Sequence, residues 1–115
     1  MDKINVFGTE YTINFKTEKD HPKFEAADAN GLCESYTNNI YIRVGYEKDD
    51  TAHDNIAEYK RKILRHELFH AIFHELGQRD YEQDERLVDM LAIVYPKIEK
   101  IMEQAKTIDV GENNT

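Results

Sequence analysis

His66-Glu67-Leu68-Phe69-His70 sets two imidazoles four residues apart, with a carboxylate directly after the first. On an α-helix, residues i and i+4 lie one above the other on one face, so both rings can reach a single ion. Glu67 is turned about 100° from His66. That puts it beside such an ion and not on it, where it can take a proton from a water that the ion polarises. Zinc suits the pattern, because imidazole and carboxylate bind it and it needs no redox partner. The bland alternative is a solvated helix face with i,i+4 contacts.

Two histidines need a third protein donor to make an open catalytic zinc site. His74 extends the run His66, His70, His74. It lies about 12 Å along the axis from His66, too far for one ion to join the outer pair. The metzincin pattern needs glycine three residues after the second histidine, and that position is Phe73. Glu85 and Asp89, at i,i+4 on the next helix, are the better source, with Glu82 and Asp84 as rivals. Cys33 is the one cysteine, which excludes an internal disulfide and a four-cysteine zinc site. It reads as a small buried hydrophobe, since no basic partner is identifiable.

The element that must carry the histidines is a helix from about residue 55. Ile63, Leu64, Leu68, Ala71, Ile72 and Leu76 form its apolar stripe, Asp54 is its N-cap and Gly77 its C′ residue. A second helix is expected after Asp80, with Asp80 and Gln83 as a capping box and Leu87, Val88, Leu91, Ala92, Val94 and Tyr95 as its apolar set. Pro96 should end or kink it, with a last turn or two through Ile98 and Ile101. The short connection predicts antiparallel helices. Upstream, Ile4, Val6, Tyr11, Ile13 and Phe15 alternate as two strands joined at Gly8-Thr9. Residues 16–31 read as a loop with a helical turn near Phe24, and Tyr36–Val44 as a further strand, with Asn38-Asn39 a turn or bulge. One domain over 1–108 and a polar tail over 109–115 are expected.

With Glu85-Arg86-Leu87-Val88-Asp89 following H-E-x-x-H, the sequence resembles the gluzincins. The resemblance implies that Glu85 completes a zinc site with His66 and His70. It also implies that Asp89 accepts the ring N–H of His66, a contact that fixes the tautomer. A closer likeness is to small metallopeptidase-like proteins of phages and prophages of Gram-positive bacteria. They share H-E-x-x-H-A, a Gly-containing turn, an acidic E-x-L-V-D/E helix and P-K-I, here His66–Ala71, Gly77, Asp84–Asp89 and Pro96-Lys97-Ile98. ImmA/IrrE-like and SprT-like proteins are similar compact relatives. The likeness spans roughly residues 4–102 and implies a minimal zincin: an α+β fold with a small antiparallel or mixed sheet on the H-E-x-x-H helix. Zincins commonly hold substrate along an edge strand, which gives Ile40–Val44 the expected role of peptide rail. The chain departs from the large gluzincins in having only 14 residues between His70 and Glu85 and no room for a second cleft-walling domain. Tyr81, His53 or Tyr46 could then supply the oxyanion donor.

Composition narrows the function class. Fifteen basic and 23 acidic residues give a net charge of −8, which disfavours nucleic acid and favours a metal ion or cationic peptide. Lys60-Arg61-Lys62 with Arg65 is the dense basic run and reads as solvated helix surface. No apolar stretch reaches membrane length, and Met1–Asn5 does not open a signal peptide, so a cytoplasmic protein is expected (in the host cytoplasm if phage-encoded). The functional expectation is zinc-dependent peptide-bond hydrolysis of a peptide or protein substrate. The alternatives are a non-catalytic metal-binding phage or prophage interaction protein, an ImmA-like protease acting on a repressor partner, and a metal-free helix face.

Overall fold

A computed structural model describes residues 2–45 and 56–111 of the chain. The order is β1 (Asp2–Val6), β2 (Thr9–Lys16), α1 (Lys23–Ala26), β3 (Gly31–Glu34), β4 (Asn39–Arg43), α2 (Ile56–Glu75), α3 (Arg79–Glu82) and α4 (Glu85–Ala105). The strands form a mixed sheet in the order β1-β2-β4-β3. β1 with β2 and β3 with β4 are antiparallel, while β2 with β4 is parallel. The β1–β2 hairpin turns through Phe7 and Gly8, both at positive φ (50° and 98°), and the Asn5 side chain accepts from Gly8 N–H. That conformation matches the twist of paired strands and is what glycine at the second turn position allows.

Tyr11, Ile40 and Ile42 are wholly buried, and with Val6, Ile13, Ile63 and Ala71 they make the core. Leu64, Leu68 and Ile72 pack at its margin, so the helical stripe expected from the sequence is the face α2 lays on the sheet. Leu76 and Phe15, expected to share the inward faces, are each 49% exposed. Tyr11 O–H and Thr9 O–H both donate to the Glu75 carboxylate, at 2.8 and 2.5 Å, which ties the last turn of α2 to β2. Gly77 follows at φ 69°, and Gln78 N–H donates to the Phe73 carbonyl, the helix stop that the glycine predicted.

Several expectations are revised. Residues 31–34 form a strand, β3, that was not expected, and the strand expected over 36–44 is shorter, β4 at Asn39–Arg43, paired antiparallel with β3 across a turn in which Asn38 has positive φ. A four-residue strand has too few positions to show a period. The second long helix starts at Glu85, capped by Asp84, whose carboxylate accepts from Leu87 N–H at 3.0 Å; Asp80 lies inside α3. Along one stripe of α2, Arg65–Ala92 and Phe69–Tyr95 advance together on both helices, while along the next stripe Lys62–Asp89, His66–Glu85 and His70–Glu85 step back along α4. α4 therefore crosses α2 and does not run back along it antiparallel. The nine residues from Leu76 to Asp84, with α3 inside them, give the chain the slack to do so.

Pro96 does not end α4, which continues to Ala105. Proline has no N–H for the carbonyl four residues earlier, which here is Ala92. Arg65 supplies the missing donor, with Nε at 2.8 Å from that oxygen. Ala92 and Val88 are wholly buried. An arginine read from the sequence as solvated surface thus repairs the backbone of its neighbour helix. The N-cap expected at Asp54 lies outside the described residues.

Candidate metal centre

α2 and α4 cross where the polar side chains meet. His66 and His70, one turn apart on α2, have ring centroids 5.1 Å apart. Glu85, in the first turn of α4, lies between them: His66 Nε2 is 2.9 Å from Oε2 and His70 Nε2 is 3.0 Å from Oε1. One ligand atom from each of His66, His70 and Glu85 lies within 4.8 Å of the other two, the compactness that a single ion requires.

The far ring nitrogens are committed to acceptors. His66 Nδ1 donates to Asp89 Oδ1 at 3.3 Å, and His70 Nδ1 donates to the Glu82 carbonyl at 2.6 Å. Asp89 also accepts from Lys62 Nζ at 3.0 Å. The Lys62 hydrogen bond, together with its charge and the contact from His66, holds the Asp89 carboxyl below the usual carboxylate range. With each Nδ1 carrying a proton, a neutral imidazole turns its Nε2 lone pair outward. Two lone pairs and two carboxylate oxygens then face one another as acceptors. Positive charge in that gap resolves the conflict, either as a proton on each ring or as one divalent cation shared by all three groups. The donor set and its outer contacts fit the cation.

The remaining acids are engaged elsewhere. Glu82 pairs through its carboxylate with His74 at 3.2 Å, and Asp84 caps α4. His74 stands outside the donor group. Tyr81 is half exposed with its ring against Phe73, and it does not line the cleft beside the histidines. His53 and Tyr46, the other oxyanion candidates, lie outside the described residues.

Glu67 is buried at the boundary between the site and the core, with 7% of its surface exposed. Burial, and then the charge of Glu85, push its carboxyl up to about 8. Beside it runs a cleft of about 710 Å³, walled on one side by residues 27–33 and on the other by Tyr59, Lys62, Ile63 and the two histidines. The wall strand is β3, which among the described residues pairs with β4 alone and is the edge strand of the sheet, with Gly31, Leu32 and Cys33 lining the cleft. Ile40–Val44, expected as the rail, falls on β4, which is interior between β2 and β3. Cys33 lines the same cleft, and burial pushes its thiol up to about 12, consistent with an inert side chain. β3, Gly31 within it, Lys62 and the Glu82 carbonyl are the parts that sequence reasoning did not find. The glycine was the available signal, since an isolated glycine often marks a close backbone approach.

None of the helices among the described residues is long and apolar enough to cross a membrane. Comparison of the chain with protein-family models, with curated proteins and with solved structures gives no match.

Proposed function

We propose that the chain is a zinc-dependent peptidase of the gluzincin type, acting on an extended peptide laid along β3. The observation that carries this reading is the convergence of His66, His70 and Glu85 within 4.8 Å beside a buried carboxylate that is not part of the donor group. A purely structural metal site needs ligands; it does not need Glu67. Two nitrogens and one carboxylate are the open catalytic set that zinc favours. Zinc held there would supply Lewis acidity, polarising a carbonyl and making a water easier to deprotonate at neutral pH.

The chain's own residues do the rest. Asp89 and the Glu82 carbonyl hold the imidazoles in the tautomer that offers Nε2. Glu67 takes a proton from the attacking water as its oxygen bonds to the scissile carbonyl carbon. It returns that proton to the amide nitrogen as the C–N bond breaks. Burial and the Glu85 charge raise the basicity of this carboxylate in the metal-free protein, and a cation held by Glu85 would offset that charge and favour the ionised form that a general base needs. The free edge of β3 offers backbone N–H and C=O groups to the substrate.

Glu67→Gln tests the reading. The amide keeps size and packing but cannot take the proton, so zinc binding stays stoichiometric while cleavage of a broad peptide library drops by at least 100-fold. Equal cleavage by both proteins excludes Glu67 as the base. No cleavage by zinc-loaded wild type points to the metal-binding interaction protein.

A further inference from the structure

Asp89 and the Glu82 carbonyl aim the histidines through hydrogen bonds. Glu67 is placed differently. Burial and the charge of Glu85 are the influences on its carboxyl group, and no hydrogen bond is among them. Instead it lies against the first residue of β3. A Cβ built on Gly31 would sit 2.8 Å from Glu67 Oε2, 3.1 Å from Glu67 Cγ and 2.5 Å from Ile63 Cγ2. The backbone of Gly31 is not in the left-handed region, in contrast to Gly8, Gly45 and Gly77. An alanine is therefore conformationally acceptable there, and only the space forbids it.

We propose that Gly31 is a positioning residue for Glu67: the bare backbone of β3 is the wall that sets the carboxylate, and any side chain at this position displaces it. The inference rests on the reading of Glu67 as general base. The two neighbours differ in how they can yield. Ile63 is β-branched and helical, so its χ1 is nearly fixed. Glu67 is unbranched and held by contact alone, so an added methyl group moves the carboxylate. The same contact links substrate and base, because the strand that offers its edge to the peptide also backs the group that handles the proton. A displacement of about 1 Å at such a group can cost roughly 100-fold in rate.

The experiment compares Gly31→Ala with wild type on the peptide that a mixed library shows to be cleaved fastest. The expected result is a roughly 100-fold loss in kcat with KM and zinc affinity little changed. Ordinarily a backbone-compatible glycine-to-alanine change stabilises a protein, so a lowered Tm reports the contact. In an Ile63→Ala background the substitution meets only Glu67: its cost in Tm shrinks and its cost in kcat remains. A wild-type kcat in Gly31→Ala, or one regained with Tm in the Ile63→Ala background, overturns the proposal. A second readout needs neither metal nor activity. With chelator present, Gly31→Ala should lower Tm less in a Glu67→Ala background than in wild type, and equal penalties overturn the contact. If wild type cleaves nothing, the peptidase reading falls, and this coupling alone decides whether Gly31 sets Glu67.

Discussion

The histidine pair and Glu67 are neighbours on α2, yet they are held by opposite means. His66 and His70 face α4 and α3, where every ring nitrogen has a polar partner within 3.3 Å. Glu67 faces the sheet, among Ile63 and the bare backbone of Gly31. Polar partners fix direction and tautomer, which ligands need. Packing fixes position and leaves a carboxyl group desolvated, which raises its basicity. The two regions should therefore fail differently: the first to loss of a charge or a hydrogen bond, the second to added volume.

The largest effect belongs to the donor that α4 contributes. Glu85→Gln removes the ligand charge and leaves the geometry of the helix intact. Zinc affinity, titrated against a chromophoric chelator, should fall by more than about 100-fold, whereas Asp89→Asn, which touches only the outer nitrogen of His66, should cost about 10–100-fold. Glu82→Gln should change affinity little, because that carboxylate pairs with His74 and it is the backbone carbonyl of Glu82 that meets His70. A loss with Glu82→Gln as large as that with Glu85→Gln would mean the wrong acid has been assigned.

The second effect isolates Glu67 in the metal-free protein. Its carboxyl is raised from 4.5 to about 8 on folding. A group whose pKa is raised in the folded state stabilises fully below the unfolded value, and that contribution is lost as pH rises through the folded one. Each unit of displacement corresponds to about 1.4 kcal/mol, so several kcal/mol should disappear between about pH 4.5 and pH 8. Glu67→Gln should lack this part of the slope. Melting temperatures of both proteins in chelator across that range give the comparison. Parallel curves would show that Glu67 does not carry a buried proton.

This contrast also explains what the sequence could and could not reveal. His66, Glu67 and His70 were legible because their spacing and the helical period of Ile63, Leu64, Leu68, Ala71 and Ile72 agree on one helix. The packed face and the polar face follow from the same 3.6-residue repeat. The i,i+4 spacing favoured Glu85 and Asp89 over Glu82 and Asp84, but only a resemblance made Glu85 the ligand and Asp89 its outer partner. What singles out Glu85 is the crossing of α4 over α2, a tertiary fact. β3 was missed because four residues carry no period, and the opposition of Gly31 to Glu67 spans 36 positions. No local pattern encodes such a contact. Interior β4 was mistaken for an edge for the same reason: strand order is decided by which segments meet, not by their own residues.

The smallest effect tests the frame on which both regions depend. Arg65 Nε donates to the Ala92 carbonyl, the group Pro96 leaves without its helical donor. Ala92 is wholly buried. Arg65→Met keeps much of the apolar stem and removes the donor, so it should destabilise by about 1–3 kcal/mol, the range for an unsatisfied buried acceptor. Pro96→Ala restores an N–H to the same carbonyl, so in that background Arg65→Met should cost markedly less. Chemical denaturation of the four proteins of this cycle measures the coupling. The frame also carries the site: α4 brings Glu85 and Asp89 to α2, and its Ala92 contact lies one turn beyond Asp89. Arg65→Met should therefore loosen zinc by less than Asp89→Asn does, while leaving the Gly31–Glu67 contact on the opposite side of α2 untouched. Additive penalties in the cycle would mean that Arg65 holds the helix crossing by packing, and that the Ala92 carbonyl is satisfied without it.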